Sequence, residues 1–243
     1  MFKLINLYIW INSNKMNYSV ISGDIVSSTG LHTQDRKFVE ENLNILLQSL
    51  KEEFNVYGRI IKGDYLECVV PNAPEGLQVA LAIKSFVKAI PIKMKAYTSE
   101  DNRIKQFKTH GIRLAIGYGE LSRYKPEEGV IDGEAIYLSG REISGETTYN
   151  KERIVIKNTL FFASKNENLN KNFQPLLALL DVLLSKATSR QCEVLYFKLM
   201  NNQEDEIAKR LGIGQSAVNQ HSTSVGWNAI DEAVNYFKMV ISK

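Results

Sequence analysis

Two hydrophobic patterns follow one another along the first 160 residues. Short apolar runs bounded by Gly, Ser and Asp predict strands, and apolar residues spaced three or four apart predict helices. In chain order the pattern predicts a strand at 18–26, a helix at 36–54, strands at 57–62 and 65–70, a helix at 75–89, a strand at 111–121, a helix at 132–145 and a strand at 153–157. Gly63-Asp64 is a two-residue hairpin turn. This order predicts an α+β fold with a ferredoxin-like βαββαβ sheet and additions.

The remainder of the chain has a helical pattern throughout. Thr188 is a predicted N-cap for a helix at 189–200, and a helix at 204–211, a tight turn and a helix at 215–223 follow. Four of the seven residues at 166–172 are Asn, which is typical of a linker. We therefore predict an α+β domain at 16–160 and a small all-α domain at 174–243. Residues 1–15 are expected to form an N-terminal extension or, alternatively, an ordinary edge strand or arm.

Composition narrows the protein class. Hydrophobic residues make up 44% and charged residues 23% of the 243 residues, which excludes a disordered tail or a fibrous repeat. The apolar run at 2–11 is too short to span a bilayer and lacks a signal-peptide cleavage site. Cys68 and Cys192 lie far apart without metal-binding spacing, which favours reduced thiols. We expect a cytoplasmic protein with no membrane partner.

Two Gly-Asp pairs carry the candidate chemistry. Asp24 ends the first predicted strand, and Asp64 lies at the hairpin turn. In a split βαβ sheet the first strand lies beside the hairpin strands, so the two carboxylates could converge. Two carboxylates with a backbone carbonyl suit Mg²⁺, which also takes phosphate ligands. Each pair taken singly is equally compatible with an ordinary turn. Mg²⁺ is the one cofactor that this pattern suggests.

The same residues resemble the pattern of class III nucleotide cyclases. The matching positions are Asp24-Ile25, Ser28-Thr29, Gly63-Asp64, Gly133 and Arg141. The resemblance implies that Asp24 and Asp64 are metal ligands and that Ile25 offers a carbonyl oxygen. It also implies that Arg141 contacts the phosphates. The family builds its sites between two such domains, which implies a homodimer.

Three positions depart from the cyclase pattern. Ile60, Val130 and Tyr137 stand where the family carries Lys, Asp and Asn, and both purine-reading positions are among them. We therefore expect a degenerate cyclase-like domain that senses a ligand, with a nucleotide as a candidate, or dimerises. The alternatives are an active nucleotide cyclase or other Mg²⁺-dependent phosphoryl-transfer enzyme, and an inactive structural dimer.

The chain also resembles the SatD family of bacterial proteins over nearly its whole length. The shared segments are ISGDI at 21–25, GDY at 63–65, RLAIGYGEL at 113–121, DGEAIY at 132–137 and GRE at 140–142. This resemblance implies a cyclase-like fold joined to a DNA-binding domain.

The segment from 206 to 220 resembles the helix-turn-helix units of regulators and sigma-like factors. Ala208 lets two helices cross closely, Gly212 permits a left-handed turn residue, and Ile213 and Val218 fill the core. The residues that this interpretation places on the major groove are Gln215, Ser216, Asn219 and Gln220, with Lys209 and Arg210 near phosphates.

Charge leaves an alternative open. From residue 187 to the end, six basic residues are balanced by six acidic ones, whereas DNA-binding domains are usually basic. The alternative is a helical dimerisation module. Residues 84–108 carry a net charge of +5, which predicts a solvated face or a surface for nucleic acid or polyphosphate. The overall prediction is a DNA-binding transcriptional regulator that acts as a homodimer.

Overall fold

A six-stranded sheet organises the protein. The computed structural model describes residues 16–61, 63–92, 97, 102–145, 149–150, 153–154 and 158–243. The strands are β1 (Asn17–Ile25), β2 (Tyr57–Ile61), β3 (Tyr65–Val70), β4 (Ile112–Lys125), β5 (Val130–Gly133), β6 (Tyr149–Asn150), β7 (Arg153–Ile154) and β8 (Leu160–Ser164). The sheet has the order β2-β3-β1-β4-β5, and β8 pairs in parallel with β4. Strands β6 and β7 pair only with each other in the described residues.

Helices separate the strands and complete the chain. They are α1 (Thr33–Phe54), α2 (Gly76–Ala89), α3 (Asn102–His110), α4 (Glu134–Gly145), α5 (Glu167–Lys186), α6 (Ser189–Leu199), α7 (Glu204–Leu211), α8 (Gln215–Ser224) and α9 (Trp227–Ile241). Elements β1-α1-β2-β3-α2-β4 with antiparallel neighbours form the split βαββαβ arrangement, so the predicted fold class is confirmed. In the described part of the chain, none of the helices has both the length and the apolar character needed to cross a bilayer.

Both faces of the sheet are covered, which explains the nearly continuous apolar run of β1. Ile21 and Ile25 belong to the main core shared with α1 and α2. Val20 points to the opposite face, where it packs with Ala135 of α4. Helix α4 crosses β4 at Gly117, where an added Cβ would lie 2.0 Å from the carbonyl oxygen of Ala135. Glycine is therefore required at this crossing.

The C-terminal helices share the core of the sheet. Phe173 of α5 and Phe237 of α9 are fully buried in the same cluster as the sheet residues, and Phe162 of β8 packs against both aromatic rings. The predicted division of the chain at 160 and 174 stays a prediction, and that interval contains β8 and the beginning of α5.

Three sequence-based expectations were wrong. The Asn-rich stretch at 166–172 is not a linker, because Asn166 caps α5 by accepting a hydrogen bond from the backbone N–H of Asn168. The strand expected at 153–157 is described only at 153–154, outside the main sheet, while β5, β8 and α3 were missed. The basic run is not a solvated face where it is described on α2, since Lys84 and Lys88 are buried. Residues 1–15, Lys93 and Lys95 lie outside the described residues.

Candidate functional site

Asp24 lies one residue before the end of β1, on the sheet face that α4 covers. Its two antiparallel neighbours are Tyr65 of β3 and Arg113 of β4. Arg113 donates from Nε to Oδ1 at 2.9 Å and from its terminal nitrogen Nη2 to Oδ2 at 3.0 Å. This bidentate geometry is a strong form of the carboxylate–guanidinium pair. Both carboxylate oxygens of Asp24 are therefore already engaged by a cation of the same chain.

Asp64 lies in the turn between β2 and β3 and fastens that turn to the end of β1. Its Oδ2 accepts a hydrogen bond from the Ser28 hydroxyl at 2.7 Å. Its backbone oxygen accepts one from the N–H of Ile25 at 3.0 Å. The resemblance to cyclases placed Asp64, Ile25 and Ser28 in one site, and the structure brings these three residues together.

A cavity of about 390 Å³ lies beside Asp64. It is lined by Ile25, Ser28, Thr29, Leu31, Thr33, Arg36, Lys37, Val39, Glu40, Gly63 and Asp64. Two basic and two acidic side chains leave its lining without net charge. Asp24 and Arg141 are not among the lining residues, so the cavity does not collect the predicted cyclase set.

The donor set does not fit a two-carboxylate Mg²⁺ site. Arg113 neutralises Asp24, and a metal ion would have to displace that guanidinium to reach the carboxylate. In the residues that the structure describes, no cluster of three or more His, Cys, Asp or Glu side chains could hold a metal ion. The metal role of Asp24, Asp64 and Ile25 stays a prediction, and we derive no chemistry from it.

The other cyclase-like positions are dispersed. Arg141 is exposed on α4, and nothing places it at the Asp64 cavity. Ile60 packs against the main hydrophobic core, so the first purine-reading position serves the interior. Tyr137 is exposed and donates a hydrogen bond to Asp132 at 2.5 Å. These positions do not form a purine-binding surface in the protein.

Sequence reasoning missed the role of Arg113. The sequence does contain a signal, because an Arg interrupts the apolar start of β4 and an Asp interrupts the apolar end of β1. The two residues become neighbours only once the antiparallel register pairs Asp24 with Arg113. Burial raises the pKa of the adjacent Tyr65 hydroxyl, and the nearby charges of Glu67 and Asp24 add to the increase in its pKa.

A second candidate site is the helix-turn-helix unit, formed by α7 and α8 on the support of α6. Val194, Ile207 and Val218 form its buried core, one residue from each helix. Gly212 has φ of 62° and ψ of 35°, the left-handed conformation expected at the turn. Thr188 caps α6 through a reciprocal capping box with Gln191. The helix bounds predicted from the sequence are confirmed to within a residue.

The outer face of α8 is exposed and uncharged. Its exposed polar residues include all four predicted base-contacting residues, Gln215, Ser216, Asn219 and Gln220. No Asp, Glu, Lys or Arg occurs between 215 and 224. Lys209 is 79% exposed, with its Nζ 3.5 Å from Asp205. The Arg210 guanidinium carbon lies 5.7 Å from the centre of the Phe197 ring. Two cations thus flank the turn that leads into α8.

Comparison with known proteins gives only distant likeness. No protein-family model matches the chain, and no curated protein matches it. Two solved structures of a bacterial light-regulated adenylyl cyclase resemble it. The first is 10% identical and covers 66% of this chain and 53% of its own, with a TM-score of 0.38. The second is 12% identical and covers 66% and 80%, with a TM-score of 0.41. This chain thus spans about half the length of the first structure, and the fold class rests on the strand order described above.

Proposed function

We propose that the protein is a DNA-binding transcriptional regulator whose α+β part dimerises or senses a ligand. The observation that carries this proposal is the exposed, uncharged polar face of α8 on a well-packed three-helix support. Asn and Gln side chains can form two hydrogen bonds with the major-groove edge of adenine. Asn219 and Gln215 are one helical turn apart on this face, so both could contact neighbouring base pairs.

Affinity is expected to depend on dimerisation. The C-terminal segment carries no net charge, so one copy would release few counterions from DNA and bind weakly. Two copies related by a two-fold axis would place two α8 helices in successive major grooves, about 34 Å apart. The resemblance to the SatD family implies the same pairing of a cyclase-like domain with a DNA-binding domain, and it supports the proposal.

The test uses the full-length protein and a duplex selected from a random library, with binding followed by fluorescence anisotropy. Asn219→Ala should raise Kd about 5- to 150-fold on the selected site, equivalent to 1–3 kcal/mol, and relax base preference there. Lys209→Ala should weaken binding to all duplexes and reduce the salt dependence. Asn228→Ala, an exposed Asn on α9 outside α8, is the matched control. Absence of salt-dependent binding to any duplex at about 50 mM salt would refute the proposal.

A second candidate function is a Mg²⁺-dependent nucleotide site, including an active cyclase. The cavity beside Asp64 favours it, because Arg36 and Lys37 could contact phosphate groups there. The pairing of Asp24 with Arg113 opposes it. A nucleotide that raises the melting temperature only with Mg²⁺, and does not in Asp64→Asn, would favour this second function. An inactive structural dimer is the outcome if the protein binds neither DNA nor nucleotide.

A further inference from the structure

A cleft of about 300 Å³ lies between the sheet part of the protein and the helix-turn-helix unit. Gln78 of α2 lines one side, and Asn201 and Gln203 of the loop between α6 and α7 line another. Helix α9 contributes Trp227, Asp231, Val234 and Lys238, which are spaced along one helix face. Because the loop leads directly into α7, a molecule in this cleft would contact both parts of the protein.

Gln78 brings a buried acceptor without a partner to the cleft. The residue is 5% exposed, and its Nε2 donates to the Leu199 carbonyl at 2.7 Å and to Oδ1 of Asn201 at 3.0 Å. Its Oε1 has no partner in the described residues. Exchanging the positions of the amide oxygen and nitrogen would not solve this, because Asn201 is fixed by its own donation to Glu53 at 2.7 Å. A buried acceptor left unpaired is costly, so the cleft favours a ligand that donates a hydrogen bond.

The cleft also offers one anion and one cation that are not paired. In the described residues, neither Asp231 nor Lys238 has an ion-pair partner within 4.0 Å, and Asp231 accepts a hydrogen bond from Asn235 at 3.3 Å. Lys198 differs, because its ammonium is 2.8 Å from Glu204 and 5.3 Å from the centre of the Trp227 ring. Asp231 and Lys238 are two helical turns apart, about 10 Å along the axis.

We propose that this cleft binds a small zwitterion, with free amino acids as the chemical class. The ligand ammonium would donate to Asp231 and to Oε1 of Gln78, and the ligand carboxylate would pair with Lys238. Two contacts of about 3 Å within the 10 Å axial separation leave about 4 Å for the ligand's own charge separation, which suits an amino acid. A phosphate compound matches less well, because Asp231 would repel it.

If the protein is the regulator proposed above, this ligand would control DNA binding, and this part of the inference rests on that proposal. The ligand would connect α2 to the loop before α7 and to α9, and it would thereby stabilise one orientation of α8. It would change DNA affinity only to the extent that it binds the DNA-competent arrangement better or worse than the other arrangement.

The site is tested first without DNA, on the full-length protein. Each of the twenty standard L-amino acids is added singly at about 10 mM, and the melting temperature is measured. At ten times Kd, a bound amino acid should raise it by about 3–5 °C. Lys238→Gln and Asp231→Asn should each abolish the shift. Lys243→Gln and Glu232→Gln remove the same charges outside the cleft lining and should retain it.

Two results would overturn the site: no amino acid shifts the wild type, or the shift survives in both cleft variants. The first result would also mean that water satisfies Gln78. The regulatory step is tested by DNA anisotropy with the bound amino acid at saturation, where a 5- to 150-fold change in Kd is expected, absent in Lys238→Gln. A melting shift with unchanged DNA affinity retains the site and overturns its regulatory role. Loss of DNA binding under all conditions refutes the proposed function and leaves the ligand site standing.

Discussion

The ammonium group of Lys84 is fully buried and joins the sheet to the C-terminal helices. Its Nζ lies 3.2 Å from Oδ1 of Asp181 on α5 and donates to the Thr159 hydroxyl oxygen at 2.6 Å. It also donates to the backbone oxygen of Ile112 on β4 at 3.0 Å. We predict that Lys84→Met, which keeps most of the side-chain volume but removes the charge, strongly destabilises the protein.

The magnitude follows from the charge that the substitution leaves behind. Asp181 is 4% exposed, and in the variant it would keep its contacts with the backbone N–H and hydroxyl of Thr159 but lose its cation. Removing one partner of a buried ion pair typically costs about 3–5 kcal/mol. That is a large share of a typical unfolding free energy of about 5–15 kcal/mol. Replacing both partners, in Lys84→Met with Asp181→Leu, should cost less than the sum of the two single changes.

Urea unfolding followed by circular dichroism measures these free energies. Lys37→Met is the control, because the Lys37 side chain is 79% exposed and its Nζ is 4.0 Å from Glu41. The control should change the unfolding free energy by less than about 0.5 kcal/mol. A cost below about 1 kcal/mol for Lys84→Met would refute the argument, since a buried unpaired carboxylate cannot be that inexpensive.

The same pair predicts a pH dependence. Burial raises the pKa of Asp181, but the ammonium of Lys84 and two hydrogen bonds from Thr159 together outweigh burial and hold that pKa below its ordinary value. A lowered carboxyl pKa contributes stability that is complete above the unfolded value of about 3.9 and is lost as pH falls through the folded pKa. The difference in unfolding free energy between wild type and Asp181→Asn should therefore be constant above about pH 5 and shrink below about pH 4. A constant difference down to pH 2 would contradict this assignment.

Three further predictions concern packing, thiols and capping. Gly117→Ala should destabilise by at least about 1–3 kcal/mol, because its Cβ would overlap backbone atoms of α4, whereas Gly140→Ala, whose Cβ would be 3.9 Å from its nearest neighbour, should be neutral or stabilising in urea unfolding. Burial raises the pKa of both the Cys68 and the Cys192 thiol, so both should resist labelling by a thiol reagent until the protein unfolds, and rapid native labelling would contradict this. Thr188→Ala should cost about 1 kcal/mol by removing the cap of α6, and Thr188→Ser should recover most of that loss.

Local signals explain which parts of the fold could be predicted. The hairpin turn at Gly63-Asp64 and the left-handed Gly212 each depend on a few adjacent residues, and the structure has both turns at those positions. Strand β8 could not be predicted in the same way, because its stability comes from pairing with Leu114 to Tyr118 of β4, more than forty residues earlier. Nothing within 160–164 itself specifies that distant partner.

Tertiary packing also reverses the meaning of charges on α2. In an amphipathic helix, Lys84 and Lys88 would ordinarily mark the solvated face. Here α2 is covered by β4 on one side and by α6 on another, so this face is buried too. Lys88 accordingly donates to the backbone oxygens of Leu184 and Ser185 at the end of α5, as a cation that caps a helix C-terminus. The charge needed a partner on a helix a hundred residues away, which local periodicity cannot reveal.

The register of two strands has the same effect on the candidate catalytic site. The sequence places Asp24 at a strand end, where a free carboxylate could bind a metal ion. The antiparallel register places Arg113 directly beside it, and the guanidinium takes both oxygens. A carboxylate neutralised within its own sheet stabilises the pairing of β1 with β4 and no longer attracts a divalent cation. Together with the apolar burial of Ile60, this pairing favours a sensing or dimerising role for the α+β part, and it directs the search for function to the exposed face of α8.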